Sequence, residues 1–249
     1  MAHRLGNCTV VGSSSSLRGS GYGSFIDSHD TVVRVNRLGG AGVPTAARPD
    51  VGSRTDVLFT TLCNVKPDGL LWVPLSDRPQ IEQAHTNCSL RTGAGCHFRQ
   101  VALRGPPKCA EHTRRLGSAY RTQLAVPVHV SSEGLVRDIG SLVRLAAGSS
   151  DLEHTALHRV EPSTGFHAVV TMALRCDALT AIGFDGDGET YDGHTVTREH
   201  TLAVEHMLLR LLQRGTVAGL PHGWSKAKLR VHYVKQKAAG KDSKARRRA

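Results

Sequence analysis

The chain has 249 residues, 39% of them apolar and 21% charged, which is enough for one sizeable α/β domain. Its formal net charge of +11 points at first to nucleic acid or an anionic surface. Residues 225–249 hold ten Lys or Arg against one Asp, however, so only +2 is left for residues 1–224. A near-neutral body argues against a nucleic-acid-binding protein, and KAAGKDSKARRRA reads as a basic, disordered tail. No run approaches the ~20 apolar residues of a transmembrane helix, and MAHRLGN is too short and polar for a signal peptide.

In chain order, CTVVGS (8–13) reads as a buried strand closed by Gly and Ser. A short helix or turn through GYGSFIDS follows, then a strand over TVVRVN (31–36) and a Gly- and Pro-rich loop. TDVLFTTL (55–62) and LLWVPL (70–75) are further candidate strands. Residues 76–120 show no clear period and are expected to form an irregular insertion. LAVPVHVS (124–131) is strand-like, with Pro127 marking an edge or a bend. The spacing over 134–148 predicts a helix with Leu135, Ile139, Leu142, Val143 and Leu145 inward. Residues 162–176 give the strongest helical pattern, with Phe166, Val169, Val170, Ala173 and Leu174 on one face. ALTAIGF (178–184) is a strand. A helix from about Glu199 to Arg214 places Val204, Met207, Leu208 and Leu211 inward, and KLRVHYV (228–234) is the last strand. Alternation of strands and helices predicts an α/β fold, a mostly parallel twisted sheet with helices on both faces. A single domain over 1–224 is expected, with 225–249 supplying the final strand and the tail.

Three segments carry chemistry. GSSSSLRGSGYG offers backbone amides and hydroxyls that suit a phosphate-bearing ligand, yet it is neither a P-loop nor a dinucleotide fingerprint. EPSTG opens a helix whose free amides and Ser or Thr hydroxyls form an anion site or an ordinary cap. In REHTLAVEH, His200 stands near a helix start, where the dipole favours the neutral imidazole of a general base. Glu205 is five residues on, so the pair is not an HExxH metal motif. The acidic loop DGDGE (185–189) lacks EF-hand spacing and reads as a solvated turn. None of the six cysteines forms a CxxC pair, so a zinc ribbon is not indicated, and their spacing leaves any pairing open.

Together and in this order, the three segments resemble the motifs of the eukaryotic sialyltransferase family. CTVVGSSSSLRGSGYGSFIDSHDTVVRVN is similar to its long motif, and DVGSRTDVLF (50–59) to the continuation. EPSTGFHAVVTMALRCDALTAIGFDG is similar to the short motif, and His200 with Glu205 to the very short H-x4-E motif. The resemblance covers residues 8–62 and 160–215 well. It implies a modified GT-A-like fold and an inverting, metal-independent transfer of sialic acid from CMP-sialic acid to a glycan hydroxyl. No cofactor is implied; the partners would be a CMP-sugar donor and a glycoprotein or glycolipid acceptor. Ser13, Ser14, Asn36, Ser163, Thr164, Gly165, Tyr191 and His194 would serve the substrates. His200 would act as general base with Glu205 beside it, and Cys8 would pair with Cys176.

Two departures stand out: the family's Asn after V-V-G is Ser13, and the histidine of its His-Tyr motif is Thr190. They leave two other readings, transfer of another CMP-linked keto-sugar of the 3-deoxy-manno-octulosonic acid type, or a non-catalytic glycan- or nucleotide-binding member. Family members are anchored in the Golgi membrane, whereas the first motif here begins at residue 8. The natural gene product is therefore expected to carry an upstream apolar anchor and to work in the Golgi lumen, or in the cytosol if the chain is complete.

Overall fold

The computed structural model describes residues 4–36, 43–61, 70–71, 88–89, 96, 99–104, 128–148, 162–184, 202–215 and 228–232. Strands β1 (Asn7–Val11), β2 (Thr31–Val35), β3 (Val57–Thr61), β6 (Gln100–Arg104), β7 (Val128–Val130), β8 (Ala178–Ile182) and β9 (Lys228–His232) make one sheet. All of its pairings are parallel, in the order β7-β6-β3-β2-β1-β8-β9. Two short strands, β4 (Leu70–Leu71) and β5 (Cys88–Ser89), pair antiparallel apart from it.

The chain thus builds outward from β1 through β2, β3, β6 and β7, then returns to the other side of β1 with β8 and β9. Right-handed crossovers running in opposite directions put their helices on opposite faces. On one face lie the short helices α1 (Gly23–Asp27) and α2 (Arg48–Val51), over a small core of Val11, Leu17, Ile26, Val32, Val51 and Ile182. On the other lie α3 (Glu133–Gly148), α4 (Thr164–Ala173) and α5 (Leu202–Arg214), over the main core that includes Val10, Val33, Phe59, Phe166 and Val169. The expected α/β architecture with both faces covered is what forms.

Some expectations are corrected. Residues 76–120 are not wholly irregular, because β6 is an internal strand of the sheet, between β3 and β7. QVALR is too short to show a period amid charged and cysteine-bearing sequence. Leu70 and Leu71 of the strand expected over 70–75 form β4, and 72–75 lie outside the described residues. In α3 the buried stripe is Ile139, Leu142, Val143 and Ala146, and Leu145 is 72% exposed. In α5 it is Val204, Leu208, Leu209 and Leu212, while Met207 faces outward and Leu211 is half-buried. In α3 the buried stripe follows i, i+3, i+4, i+7 steps, and in α5 it lies one residue on from the expected Met207 and Leu211.

Candidate functional site

An all-parallel sheet has a crevice at the carboxyl ends of its strands, where the order of connections reverses. Here that point lies between β1 and β8. α4 runs into the start of β8, so its own N-terminus sits at the carboxyl end of the sheet. Gly12 and Ser13 leave β1 there, Gly183 and Phe184 leave β8, and Asn36 leaves β2.

The crossing of the two central strands is too tight for side chains. A Cβ on Gly12 would lie 2.2 Å from the Gly183 carbonyl oxygen. A Cβ on Gly165 would come within 2.9 Å of the Phe184 ring, which also lies beside Gly12. Phe184 therefore joins the first loop to the start of α4. The expected site residues did not include it, although the Gly-Phe pair ending the short motif was its signal.

Ser163 caps α4, its Oγ accepting from the Phe166 amide at 3.1 Å. Glu205, 3% exposed in the first turn of α5, receives both the Ser163 amide and the Ser163 hydroxyl at 2.6 Å. One buried carboxylate thus ties the start of α4 to the start of α5, with charge-assisted bonds at a helix N-terminus where negative charge is favoured. Thr164 and Gly165 follow as the first residues of the turn, half-buried. Glu205→Ala is expected to lower stability by about 1–3 kcal/mol, since it removes the charged partner of a half-buried amide and hydroxyl. Glu205→Gln should keep part of that, and urea unfolding of the two variants measures the difference.

The first loop divides into a structural part and an open part. The amides of Gly19 and Gly21 donate to the Asp50 carboxylate at 2.7 and 3.0 Å, so this part of the loop is held by the protein itself. Ser14 is buried; its Oγ accepts from the Ser16 amide at 3.1 Å and donates to the Ser16 hydroxyl at 2.8 Å. Ser13, next to it, is exposed. Asn36 adopts a left-handed backbone, φ 51°, and its Oδ1 accepts from the Thr60 hydroxyl at 3.1 Å. That bond aims the amide and leaves its NH2 group as a donor.

Much of the remaining long-motif signature is scaffold. Asp27 accepts from the amides of Ser53 and Arg54 and from the Ser53 hydroxyl. Arg54 donates to the carbonyls of Asp27, His29 and Asp30, and pairs with Asp56 at 2.8 Å. Arg34 is fully buried and donates to the carbonyls of Arg54 and Val51. Burial pulls its pKa down to about 10, against the opposing pull of Asp27 and Asp56, so it stays charged at neutral pH.

Cys8 and Cys176 are disulfide-bonded, joining the start of β1 to the turn after α4. Cys96 is also in a disulfide. The structure therefore brings Ser13, Ser14, Asn36, Ser163, Thr164, Gly165 and Glu205 to the carboxyl end of the sheet. His200, Tyr191, His194, Thr190 and the loop 185–189 lie outside the described residues.

Residues 1–71 match the family model described as glycosyltransferase family 29 (sialyltransferase). A mouse CMP-N-acetylneuraminate-beta-galactosamide-alpha-2,3-sialyltransferase 2 is 50% identical over 48 residues, 19% of this chain and 13% of that protein. A rice sialyltransferase-like protein 1 is 27% identical over 192 residues, 73% of this chain and 44% of that protein. The matched segments thus span less than half of either relative. A solved mammalian sialyltransferase in complex with Gal-beta-1-3GalNAc-ortho-nitrophenol superposes with a TM-score of 0.52 at 20% identity, covering 93% of this chain and 70% of that one. At that identity the superposition speaks for the fold.

Proposed function

We propose that this chain, a member of the sialyltransferase family, moves sialic acid from CMP-sialic acid to a hydroxyl of a β-galactoside-bearing glycan. The observation that carries this is the meeting of the β1 loop and the start of α4 across Phe184, at the switch point of a parallel sheet. Both segments lie where an open α/β sheet takes its ligands, and both belong to motifs that the family uses for the nucleotide.

In this reading the exposed Ser13, the Asn36 amide and the first turn of α4 receive the cytidine monophosphate. Charge develops on the departing phosphate, and amides at a helix start oppose it without reorganising. His200 precedes α5 by two residues in the sequence and takes the proton of the acceptor hydroxyl. Attack on the face opposite the phosphate inverts the anomeric centre, and no metal is needed. Glu205, with both oxygens on Ser163, acts as a positioning residue rather than as an acid or base. Tyr191 and His194 are assigned to the donor by their place in the motif.

Among the described residues no helix is long and apolar enough to cross a membrane. The Golgi lumen, reached by an anchor upstream of the matched region, is part of the proposal.

Calorimetry with CMP tests the pocket. Ser13→Trp fills it from an exposed position, and affinity should fall at least tenfold while unfolding is unchanged. Unaltered affinity would place the nucleotide elsewhere. Because Ser13 and Thr190 depart from the family pattern, turnover should be compared on CMP-sialic acid and CMP-3-deoxy-manno-octulosonate. CMP binding with no turnover of either would favour the non-catalytic reading.

A further inference from the structure

The loop that leaves β1 is anchored at both ends. At its start, the Ser14 amide donates to the Gly183 carbonyl at 3.2 Å. Leu17 lies against the same glycine, where a Cβ would come within 2.5 Å of the Leu17 Cδ1. At its far end, the amides of Gly19 and Gly21 each donate to one oxygen of the Asp50 carboxylate, at 2.7 and 3.0 Å. The Ser20 hydroxyl adds a bond to the Asp50 carbonyl at 3.4 Å. Gly19 and Gly21 have φ of 68° and 70°, with Ser20 between them. Left-handed residues alternating with ordinary ones turn nearby amides toward one point, which makes a small backbone nest for an anion. Here the anion belongs to the chain itself.

Asp50 is supported independently of the loop it holds. It lies in α2, and that helix is fixed on both sides. The Arg48 and Pro49 carbonyls press on Gly23, where a Cβ would come within 2.1 and 2.6 Å of their oxygens. Beyond α2, the Ser53 and Arg54 amides donate to the Asp27 carboxylate at 2.7 and 3.1 Å. The buried Arg34 donates to the Val51 and Arg54 carbonyls at 2.6 and 2.8 Å. The carboxylate is thus presented from a rigid platform.

Continuous hydrogen bonds lead from Asp50 to the crevice. The Ser20 amide donates to the Leu17 carbonyl at 3.1 Å, and the Arg18 amide to the Ser15 carbonyl at 3.0 Å. Both carbonyls belong to the single 3-10 turn Ser15–Leu17. Ser16, in that turn, orients the Ser14 hydroxyl through its own amide and hydroxyl, at 3.1 and 2.8 Å. Ser13 precedes Ser14 and is exposed. A turn of three residues has little stability of its own, so its geometry depends on what holds it.

We propose that Asp50 is a positioning residue for the nucleotide, an internal carboxylate that closes the β1 loop and thereby fixes the wall carrying Ser13 and Ser14. The proposal rests on the CMP-binding reading, to which it adds the group that shapes one side of the crevice. A loop ordered before the ligand arrives spares the ligand the cost of ordering it. The same carboxylate fills the Gly19 and Gly21 amides, so the incoming phosphate is left to the Ser13 end of the loop and to the first turn of α4.

Calorimetry with CMP on the full chain provides the test. Asp50→Ala should weaken CMP binding by about tenfold, the equivalent of ordering one or two residues of loop on binding. Asp50→Asn has nearly the same shape but keeps one acceptor and turns an NH2 group toward the second amide, so it should lose affinity as well. Formate is the carboxylate that the alanine substitution removes, and the nest lies at the surface. Added formate should therefore restore CMP affinity to Asp50→Ala and should not raise it in Asp50→Asn or in the wild type, whose nests are filled. A general loss of structure would not be reversed in this way. In turnover by Asp50→Ala, the donor KM should rise with the acceptor KM unchanged. Wild-type CMP affinity in both variants, or a loss in Asp50→Ala that formate leaves in place, would overturn the role. If Asp50→Ala does not fold, wild-type affinity in Asp50→Asn is enough to overturn it. A wild type that binds no CMP ends the nucleotide reading and this role with it, whereas binding that survives both substitutions ends only the role of Asp50.

Discussion

Replacing Cys8 and Cys176 together by alanine is expected to cost about 2–5 kcal/mol of stability, the usual range for a native disulfide. The bridge spans 168 residues of sequence and so removes much freedom from the unfolded chain. Both sulfurs are fully buried, so serine would add the cost of a hydroxyl without a partner, which makes alanine the cleaner substitution. The bridge does not act alone. The Leu5 amide donates to the Arg175 carbonyl, the Asp177 amide to the Gly6 carbonyl, and Arg4 pairs with Asp177 at 2.7 Å. These ties should let the variant fold, with a lower urea midpoint. Because the bridge joins the strand behind the first loop to the helix that begins at Ser163, CMP affinity should fall with stability. An unfolding midpoint that is equal in wild type and variant, under oxidising conditions, would remove the bridge from this account. Oxidative folding also suits the secretory compartment proposed for the protein.

His200→Ala is expected to lower the rate of sialyl transfer by about 10²–10⁴, the range for loss of a general base. Its affinity for CMP should be unchanged, because the proposed role of the base is toward the acceptor hydroxyl. The sign of the pH dependence follows from the role. A base must be unprotonated, so the wild-type rate should rise with pH as the base loses its proton. The variant should lose that acid limb along with the rate. A variant that keeps most of its transfer rate, or the same acid limb, would move the role to another group.

Glu205 shows where the motif pattern and the chemistry separate. The resemblance pairs it with His200 in the H-x4-E motif, and in the structure both of its oxygens accept hydrogen bonds from Ser163. Such a carboxylate shapes the site by holding two helix starts together. The glycines at 19 and 21 teach the same lesson, since the amides that seemed suited to phosphate are held by Asp50. Nothing local marks Asp50 as the partner of residues some thirty positions earlier.

The α/β class, α4 and the cap at Ser163 were legible in the sequence by itself, because periodicity and capping are local properties of the chain. The pairing of Cys8 with Cys176 was legible through the resemblance alone. Tertiary structure decided the rest. Strand order is set by which apolar faces can be buried together, so only the folded sheet placed the switch point between β1 and β8. β6 escaped notice because five residues are too few to show a period, and its burial comes from the neighbours on either side. Leu145 and Met207 misled because a stripe read one residue off still looks amphipathic, and only packing against the sheet selects the true face. The rings of Tyr22 and Phe25 meet that of His232, some two hundred positions away in sequence. That proximity exists only once β9 has added to the edge of the sheet.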